Sequence, residues 1–558
     1  MTGFLLQIQI GKKVTRLNDL LIDEPSPAMK ISHNNTEFIA WGDPVLEGDL
    51  SQILNDDLTP GKLMGKVYGH YYYIWLDKLS GSITAGNSLF SILPVYYHQG
   101  KEVLTISDNV FTISKFLGIN KINRRFILET CLFNYPLFNN SFYEGIDLLP
   151  ANSYIRYSDQ KISFDRHFET AGLFGKNPLS LKAALRFMPD IFLQSVSKYL
   201  PSGHYVSALT GGFDSRTLVS AGLMYKKDFS TYAFGIDRSK DLLLSRGLSQ
   251  AAGLGFREIA LDEAYVMQES LKTGKEFIIN SSGTATFARA HYLYAARQLA
   301  SETEHIITGN FGSEIFRAAH VVGSMFSNNL YALFNSDVPE KALPAIEQSD
   351  EYRCLNPASY KNEWAQFKED VKNLQCYEPK YSVLTRNQRF YIFVMEEVFR
   401  KYFGAEMINQ FRHVRNRTPY LDIDFLKEIF RTDLAGIHSG FFEHNPLKRY
   451  KGQILYSHII RKAYPEFGKM MTDKGYRPDD LLTLAGKARV IKGYYHKKTG
   501  KSISAPDPNS VSLAWETNRH YWMRVPVPEE YFRLTGISGK MSENLLYRIC
   551  SLSYCMNY

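Results

Sequence analysis

The sequence predicts an α/β protein, with a doubly wound parallel sheet in its C-terminal half and a mostly β N-terminal region before it. Three observations carry this. Between His204 and Thr308, short apolar strands alternate with segments of helical spacing, the pattern of parallel strands joined by helices. Up to about Phe168 the chain shows strands and turns instead. The length of 558 residues exceeds what one hydrophobic core supports, at roughly 100–200 residues per domain.

Residues 1–10 alternate like a strand and lack the basic start and continuous apolar run of an export signal. Residues 67–77 are rich in β-formers and stop at a turn over 77–81. Segments 82–85, 95–98 and 103–106 continue in that style, and 152–157 with 161–164 predict a hairpin around Ser158-Asp159-Gln160. A helical stretch over 180–200 leads into the second pattern. Its strands are expected at 204–209, 230–235, 257–260 and 305–308, and its helices at 215–225, 243–252 (closed by Gly253) and 286–301. Beyond Glu314 the chain reads as mostly helical, with 385–411 the longest candidate. After about Ala485 it weakens into Gly-, Lys- and Tyr-rich loops to which no chemistry is assigned. The expected division is therefore 1–170, 171–485 and a C-terminal extension, 486–558.

Composition excludes several classes. Hydrophobic residues at 44% and charged residues at 22% argue against long disorder. The net charge of +8 is spread out, with only short pairs such as Lys12-Lys13, Lys226-Lys227 and Lys497-Lys498, so no nucleic-acid partner is expected. No apolar run reaches the roughly 18 residues of a membrane span. Five cysteines, an odd number without a Cys-x-x-Cys pair, make a poor disulfide framework and a poor zinc site. A cytoplasmic protein with reduced thiols is expected.

The chemistry concentrates in Thr210-Gly211-Gly212-Phe213-Asp214-Ser215, between the first parallel strand and its helix. Adjacent glycines let the backbone approach an anion closely and take φ > 0. Exposed N–H groups and the helix N-terminus make an anion site at the carboxyl end of the sheet, where such folds bind ligands. Thr210 and Ser215 add hydroxyl donors. A carboxylate beside phosphate implies an intervening cation, so Asp214 predicts a Mg²⁺ ligand. The plain alternative is a turn with a helix cap.

This loop resembles the Ser-Gly-Gly-x-Asp-Ser loop of the ATP-pyrophosphatase superfamily, and its surroundings resemble the asparagine synthetase B family over about residues 67–478. The similar segments are Val67-Tyr68-Gly69 through Leu76-Asp77, Leu93-Pro94-Val95-Tyr96, and Phe142-Tyr143-Glu144-Gly145 through Leu149-Pro150. Phe234-Gly235 with Asp241, Thr308-Gly309-Asn310-Phe311-Gly312-Ser313-Glu314, Arg417-Thr418-Pro419-Tyr420-Leu421-Asp422 and Lys474-Gly475-Tyr476 follow in the family's order. The resemblance implies a C-terminal sheet of the adenine nucleotide α-hydrolase type behind a degenerate glutaminase-like (Ntn) domain. It implies ATP and Mg²⁺ as cofactors, and a carboxylate substrate activated as an acyl-adenylate and passed to an amine. Ala208, Leu209, Phe234, Gly235, Asp241, Thr308 and Gly309 would border the nucleotide. Thr210, Gly211, Gly212, Phe213, Asp214 and Ser215 would hold its pyrophosphate. Lys474 would stabilise charge on the α-phosphate, and Glu314 would join it in catalysis.

The pattern breaks in five respects. Thr2 replaces the N-terminal Cys of glutamine-hydrolysing members, no glutamine clamp precedes residue 65, and Asn87-Ser88 stands in for an Arg-Asp pair. Ser313 replaces a family Asp, and Arg415 a family Glu. The leading expectation is an ATP-dependent amide ligase or cyclase that does not hydrolyse glutamine, similar to β-lactam synthetases and lasso-peptide cyclases. Its substrate would be a small-molecule, sugar-acid or peptide carboxylate. The alternatives are a true asparagine synthetase, or a non-catalytic member that binds nucleotide or a partner.

Overall fold

The computed structural model describes residues 3–12, 14, 16–23, 28–48, 59–175, 177–237, 239–317, 319–499, 510–533 and 541–558. Thr2 lies outside them. The described strands form three sheets. Two are antiparallel and built from the first 166 residues. One runs β2-β1-β8-β7-β9, from β1 (Leu5–Gln9), β2 (Leu21–Asp23), β7 (Tyr96–Gln99), β8 (Val103–Ser107) and β9 (Asp147–Leu148). The other runs β11-β10-β6-β5-β4-β3, from β3 (Met29–His33), β4 (Thr36–Leu46), β5 (Val67–Asp77), β6 (Ser82–Asn87), β10 (Ser153–Ser158) and β11 (Lys161–Arg166). The expected hairpin is β10–β11. Ser158 pairs with Lys161, and Asp159 and Gln160 both take positive φ, as a two-residue turn between twisted strands requires.

Side chains of a strand alternate between faces, and that rule separates two cores here. Ile39, Trp41, Ile74 and Leu76 pack with Leu6, Ile8, Leu104 and Ile106 of the facing sheet. Phe38, Ala40, Tyr71, Tyr73 and Trp75 point the other way and pack with Leu63 and Met64. Because β5 is buried on both faces, residues 67–77 read as an almost unbroken apolar run.

The third sheet is parallel throughout, in the order β14-β13-β12-β15-β16. Its strands are β12 (Tyr205–Ala208), β13 (Phe229–Gly235), β14 (Phe256–Ala260), β15 (His305–Ile307) and β16 (Arg415–Arg417). The chain winds outward from β12 to β14, then returns to the other side of β12. That reversal leaves a crevice at the strands' carboxyl ends, between β12 and β15. Val206, Tyr232, Ile259 and Ile306 face a core shared with the helix His291–Leu299, while Tyr205 and Ile307 face the opposite one. The α/β class and the winding agree with expectation. The short edge strand β16 carried no strand signal of its own.

Several expected helices differ. The stretch 180–200 is two helices, Leu181–Ala184 and Met188–Tyr199; Pro189, which lacks an N–H, sits where the second one starts. The stretch 286–301 is a 3₁₀ turn, Phe287–Arg289, then the helix His291–Leu299. The stretch 385–411 is continuous, but its middle, Val394–Phe403, is a π-helix. That wide segment aims Lys401 at the carbonyls of Pro136 and Phe138 and Arg400 at the carbonyl of Leu149. The loops expected after Ala485 are instead the helices Leu484–Thr499, Ser510–Trp522 and Glu543–Met556. The first crosses the expected boundary at 485. The last buries Arg548, which donates to the carbonyls of Thr130 and Cys131, and Trp522 stacks on Phe287 at 4.2 Å. The extension therefore packs into the main body.

The antiparallel part docks on the parallel sheet through β4 and β16. Asp43 accepts two hydrogen bonds from the Arg417 guanidinium, at 2.6 and 3.1 Å, and His70 Nε2 lies 2.6 Å from Thr418 Oγ1. Burial alone would raise the Asp43 carboxyl, but hydrogen bonds and charge from His305 and Arg417 outweigh it and hold it well below the carboxylate range. Gly42 and Gly69 have φ of 107° and 84° beside these residues. A Cβ on Gly69 would stand 2.3 Å from the Asp43 carbonyl oxygen, so only glycine lets the strands bend there.

Among the described residues no helix is long and apolar enough to cross a membrane. All five cysteines are free and buried.

Candidate functional site

Five helices bear on the crevice: α1 (Asp214–Met224), α2 (Lys240–Ala251), α3 (Gly312–Phe316), α4 (Lys451–Ala463) and α5 (Leu484–Thr499). The turn from β12 into α1 is Thr210 to Phe213. Thr210 is exposed, Gly212 and Asp214 are half-buried, and Gly211 and Ser215 are buried. The turn braces itself: Ser215 Oγ accepts from the Thr210 N–H at 2.9 Å and lies 3.0 Å from Thr210 Oγ1. The Gly211 N–H donates to Asp241 Oδ1 at 3.3 Å, so exposed Asp241, on α2, fixes the turn. No side chain caps α1, so the positive end of this 11-residue helix faces the crevice.

The glycines serve close approach rather than unusual backbone. Neither Gly211 nor Gly212 has positive φ, which corrects the expectation. A Cβ on Gly211 would lie 2.5 Å from Leu244 Cδ1 and 3.2 Å from Asp473 Cβ. Arg216, directly after the turn, is buried and donates to the carbonyls of Gly211, Phe467, Met470 and Met471.

The opposite wall follows β15. A Cβ on Gly309 would come within 2.9 Å of the Ser215 backbone nitrogen, and one on Gly312 within 2.7 Å of the Tyr456 hydroxyl. Both glycines let this wall close on Asp214. Between them, buried Phe311 holds φ of 71°, a left-handed conformation costly for a bulky residue, and its ring packs on Phe399 and Phe403. Asp214 Oδ2 accepts from Ser313 Oγ at 2.7 Å, and its Oδ1 from the Tyr456 hydroxyl of α4. Ser313 Oγ in turn accepts from Arg317, and the Tyr420 hydroxyl donates to the Asp214 carbonyl at 2.8 Å.

Glu314, half-buried on this wall, is pushed up to about 7 from the ordinary 4.5, by burial first and then by the Asp214 carboxylate. A raised folded-state value favours the protonated form. Its stabilising contribution is complete below pH 4.5 and lost as pH rises through about 7. In chelator, Glu314→Gln is therefore expected to match the parent near pH 4.5 and to exceed it by about 2 kcal/mol above pH ~7.5, after discounting for partial exposure. Urea unfolding at both pH values measures this. An equal stability gap at both would refute the cause given.

Asp214 and Glu314, close enough that the Asp214 carboxylate raises the Glu314 acid, offer oxygen ligands that fit a cation. No group of three or more His, Cys, Asp or Glu gathers among the described residues, so Mg²⁺ would need phosphate and water oxygens to complete its shell. Each carboxylate oxygen retains a second lone pair beyond the bonds from Ser313 and Tyr456.

Lys474 is brought to the same place. The Asp473 N–H donates to the Gly211 carbonyl at 3.0 Å, and Gly475, with φ of 85°, completes a turn closed by a bond from the Thr472 N–H to the Tyr476 carbonyl. Lys474 pairs with Asp473 at 3.1 Å and lines a cavity of about 420 Å³ beside the loop. On β13, Phe234 and Gly235 are half-buried, and the Phe234 ring lies 5.1 Å from that of His291, whose imidazole burial lowers to about 4. A Cβ on Gly235 would meet Ser239 Oγ at 2.8 Å, so this glycine seats the start of α2. Ala208 and Gly309 also border the crevice half-buried.

Three candidates do not present side chains to the crevice. Leu209 is fully buried in the core; its N–H bonds the Tyr232 carbonyl and its carbonyl accepts from Ser245. The Phe213 ring is buried against Tyr456 and Tyr476. The buried Thr308 hydroxyl donates to Asn416 at 2.9 Å. Arg415 pairs with Glu304 at 3.0 Å. Sequence reasoning missed Arg317, Tyr456 and the side chains of α5. Only Arg216 stood next to a motif that could have flagged it.

No protein-family model matches this sequence, and no curated protein matches it. Among the solved structures similar in part are two enzymes by their descriptions. One is described as the allosteric regulatory enzyme of purine biosynthesis, with 8% identity over 45% of this chain and 59% of that one, at a TM-score of 0.18. The other is a glutamine phosphoribosylpyrophosphate amidotransferase from B. subtilis complexed with ADP and GMP, with 7% identity over 52% and 64%, at 0.16. This chain spans about three fifths of each. Scores this low establish neither fold nor activity.

Proposed function

We propose that this chain is an ATP-dependent amide-bond-forming enzyme of the asparagine-synthetase kind, with a parallel sheet of the ATP-pyrophosphatase type. One observation carries the reading: the uncapped positive end of α1 opens beneath a Gly-Gly turn, with Asp214, Glu314 and Lys474 gathered around it from three distant segments. An adenine would rest by Phe234, Gly235 and Ala208, and a pyrophosphate at Thr210, Gly212 and the first N–H groups of α1.

A carboxylate oxygen of the substrate attacks the α-phosphorus. The bond from that phosphorus to the bridging oxygen breaks, and pyrophosphate leaves with the electron pair. An amine nitrogen then attacks the acyl carbon, the bond to AMP breaks, and the amine loses a proton. Lys474 stabilises negative charge growing on the α-phosphate. Asp214 and Glu314 would hold Mg²⁺, which when bound neutralises phosphate charge.

The amine would come from the substrate side. Asn87 donates to the Leu93 carbonyl at 2.7 Å and accepts from Ser91, so it braces its own turn where the resemblance expects the Arg of an Arg-Asp pair. In this reading the antiparallel sheets are a degenerate Ntn glutaminase.

The test is carboxylate-dependent exchange of labelled pyrophosphate into ATP. Exchange is expected with the parent and reduced about a hundredfold or more in Asp214→Asn. No exchange with any acid of a broad panel would sink the reading. A second reading, nucleotide or partner binding without catalysis, is favoured by the hydroxyls already on both Asp214 oxygens. It predicts a MgATP-induced rise in melting temperature without exchange. Exchange driven by aspartate and ammonia would instead mark an asparagine synthetase.

A further inference from the structure

Two adjacent chambers share Arg317, His320 and Arg449 on their walls, and the nucleotide reading uses only Glu314 of the first and Lys474 of the second. The first, of about 200 Å³, is walled by Val321, Met325, Phe326, Phe390 and Val394, with Glu314 also on its lining. The second, of about 420 Å³, is lined by Lys474, Arg489, Tyr450, Gln453 and Tyr476. Arg317, His320 and Arg449 border both and form the neck between them.

Charge and size set what fits. Among the described residues no carboxylate lines the second chamber, while three arginines and a lysine do. The acids that pair with two of them, Asp480 with Arg489 at 2.6 Å and Asp473 with Lys474, are not on its wall. Cations crowded into a concave, partly dry wall attract anionic groups. The first chamber offers aliphatic and aromatic surface instead, and the pair approaches the several hundred Å³ typical of sites for larger ligands. An acid as small as aspartate would leave most of it empty.

The geometry points to an amphiphilic acid as the occupant: a carboxylic acid with a second anionic group for the basic chamber and an aliphatic or aromatic portion for the apolar one. Its role as the acyl donor rests on the amide-forming reading. Its binding does not, because neither chamber needs a nucleotide to be built. Arg317 sits at the neck and reaches Asp214 through Ser313, which places a carboxylate held there beside the loop. The helix α5, to which the sequence assigned no chemistry, supplies Arg489 and Val490 to the wall.

N-octanoyl-L-glutamate tests this by calorimetry on the full chain without nucleotide, against glutamate and octanamide. It should bind at least about tenfold more tightly than either, more weakly at high salt, and about tenfold more weakly to Arg449→Gln and Arg489→Gln. Val321→Glu should weaken it similarly; Val321 is 64% exposed, so the fold tolerates the change, and a melting curve verifies that. Equal binding of glutamate or of octanamide, or no binding of the conjugate, would overturn the inference. The MgATP melting shift, measured on the same preparation, reports separately. Its absence alongside tight conjugate binding removes the nucleotide reading and leaves this one standing.

Discussion

Asp43→Ala is expected to cost about 3–5 kcal/mol of stability, the largest single-residue effect outside the apolar core. The carboxylate is 2% exposed and takes two hydrogen bonds from Arg417. Removing it leaves a guanidinium facing a dry strand with only the Tyr199 carbonyl and the His305 ring for company. Because β4 meets β16 at this point, the loss falls on the seam between the antiparallel sheets and the parallel one. Urea unfolding should show an earlier transition in the variant, and Asp43→Ala combined with Arg417→Met should recover part of the loss. A variant as stable as the parent would mean that water reaches the seam.

Gly309→Ala is expected to destabilise the protein by about 1–3 kcal/mol and, on the proposed reading, to abolish the MgATP melting shift. The new methyl would stand 2.9 Å from the Ser215 nitrogen and 3.0–3.1 Å from Asp214 Cβ and carbonyl carbon. Most of these atoms are backbone at the start of α1 and cannot rotate aside. Either β15 or α1 must move, and both carry site residues. Normal melting together with a normal MgATP shift would show that the crevice has slack the geometry denies.

Legibility followed the range of the interactions. The four leading parallel strands and the turn after the first were readable because local periodicity and Gly-Gly spacing encode them. The edge strand β16 was not: its three residues, Arg415, Asn416 and Arg417, are polar and become a strand only by pairing with β15. The same limit applied to the site. Thr210 to Ser215 announce themselves, whereas Tyr456 bonds Asp214 from an ordinary helix position and Arg317 reaches it through Ser313 from the residue after a short helix. Leu209 and Thr308 keep their side chains out of the crevice because a strand turns alternate side chains inward, and near strand ends the face is decided by the neighbours. The helix Leu484–Thr499 was hidden by Gly486 and Gly493. Gly486 is required by contact: a Cβ there would stand 2.2 Å from the Asp480 carbonyl oxygen.

The buried guanidinium of Arg216 joins four carbonyls, one from the Gly-Gly turn and three from the segment leading to Lys474. A vice with one jaw bolted to the other cannot rattle. Whatever slides in the rest of the molecule, the turn and the lysine keep a fixed gauge, so any opening or shutting of the crevice has to come from the β15 side.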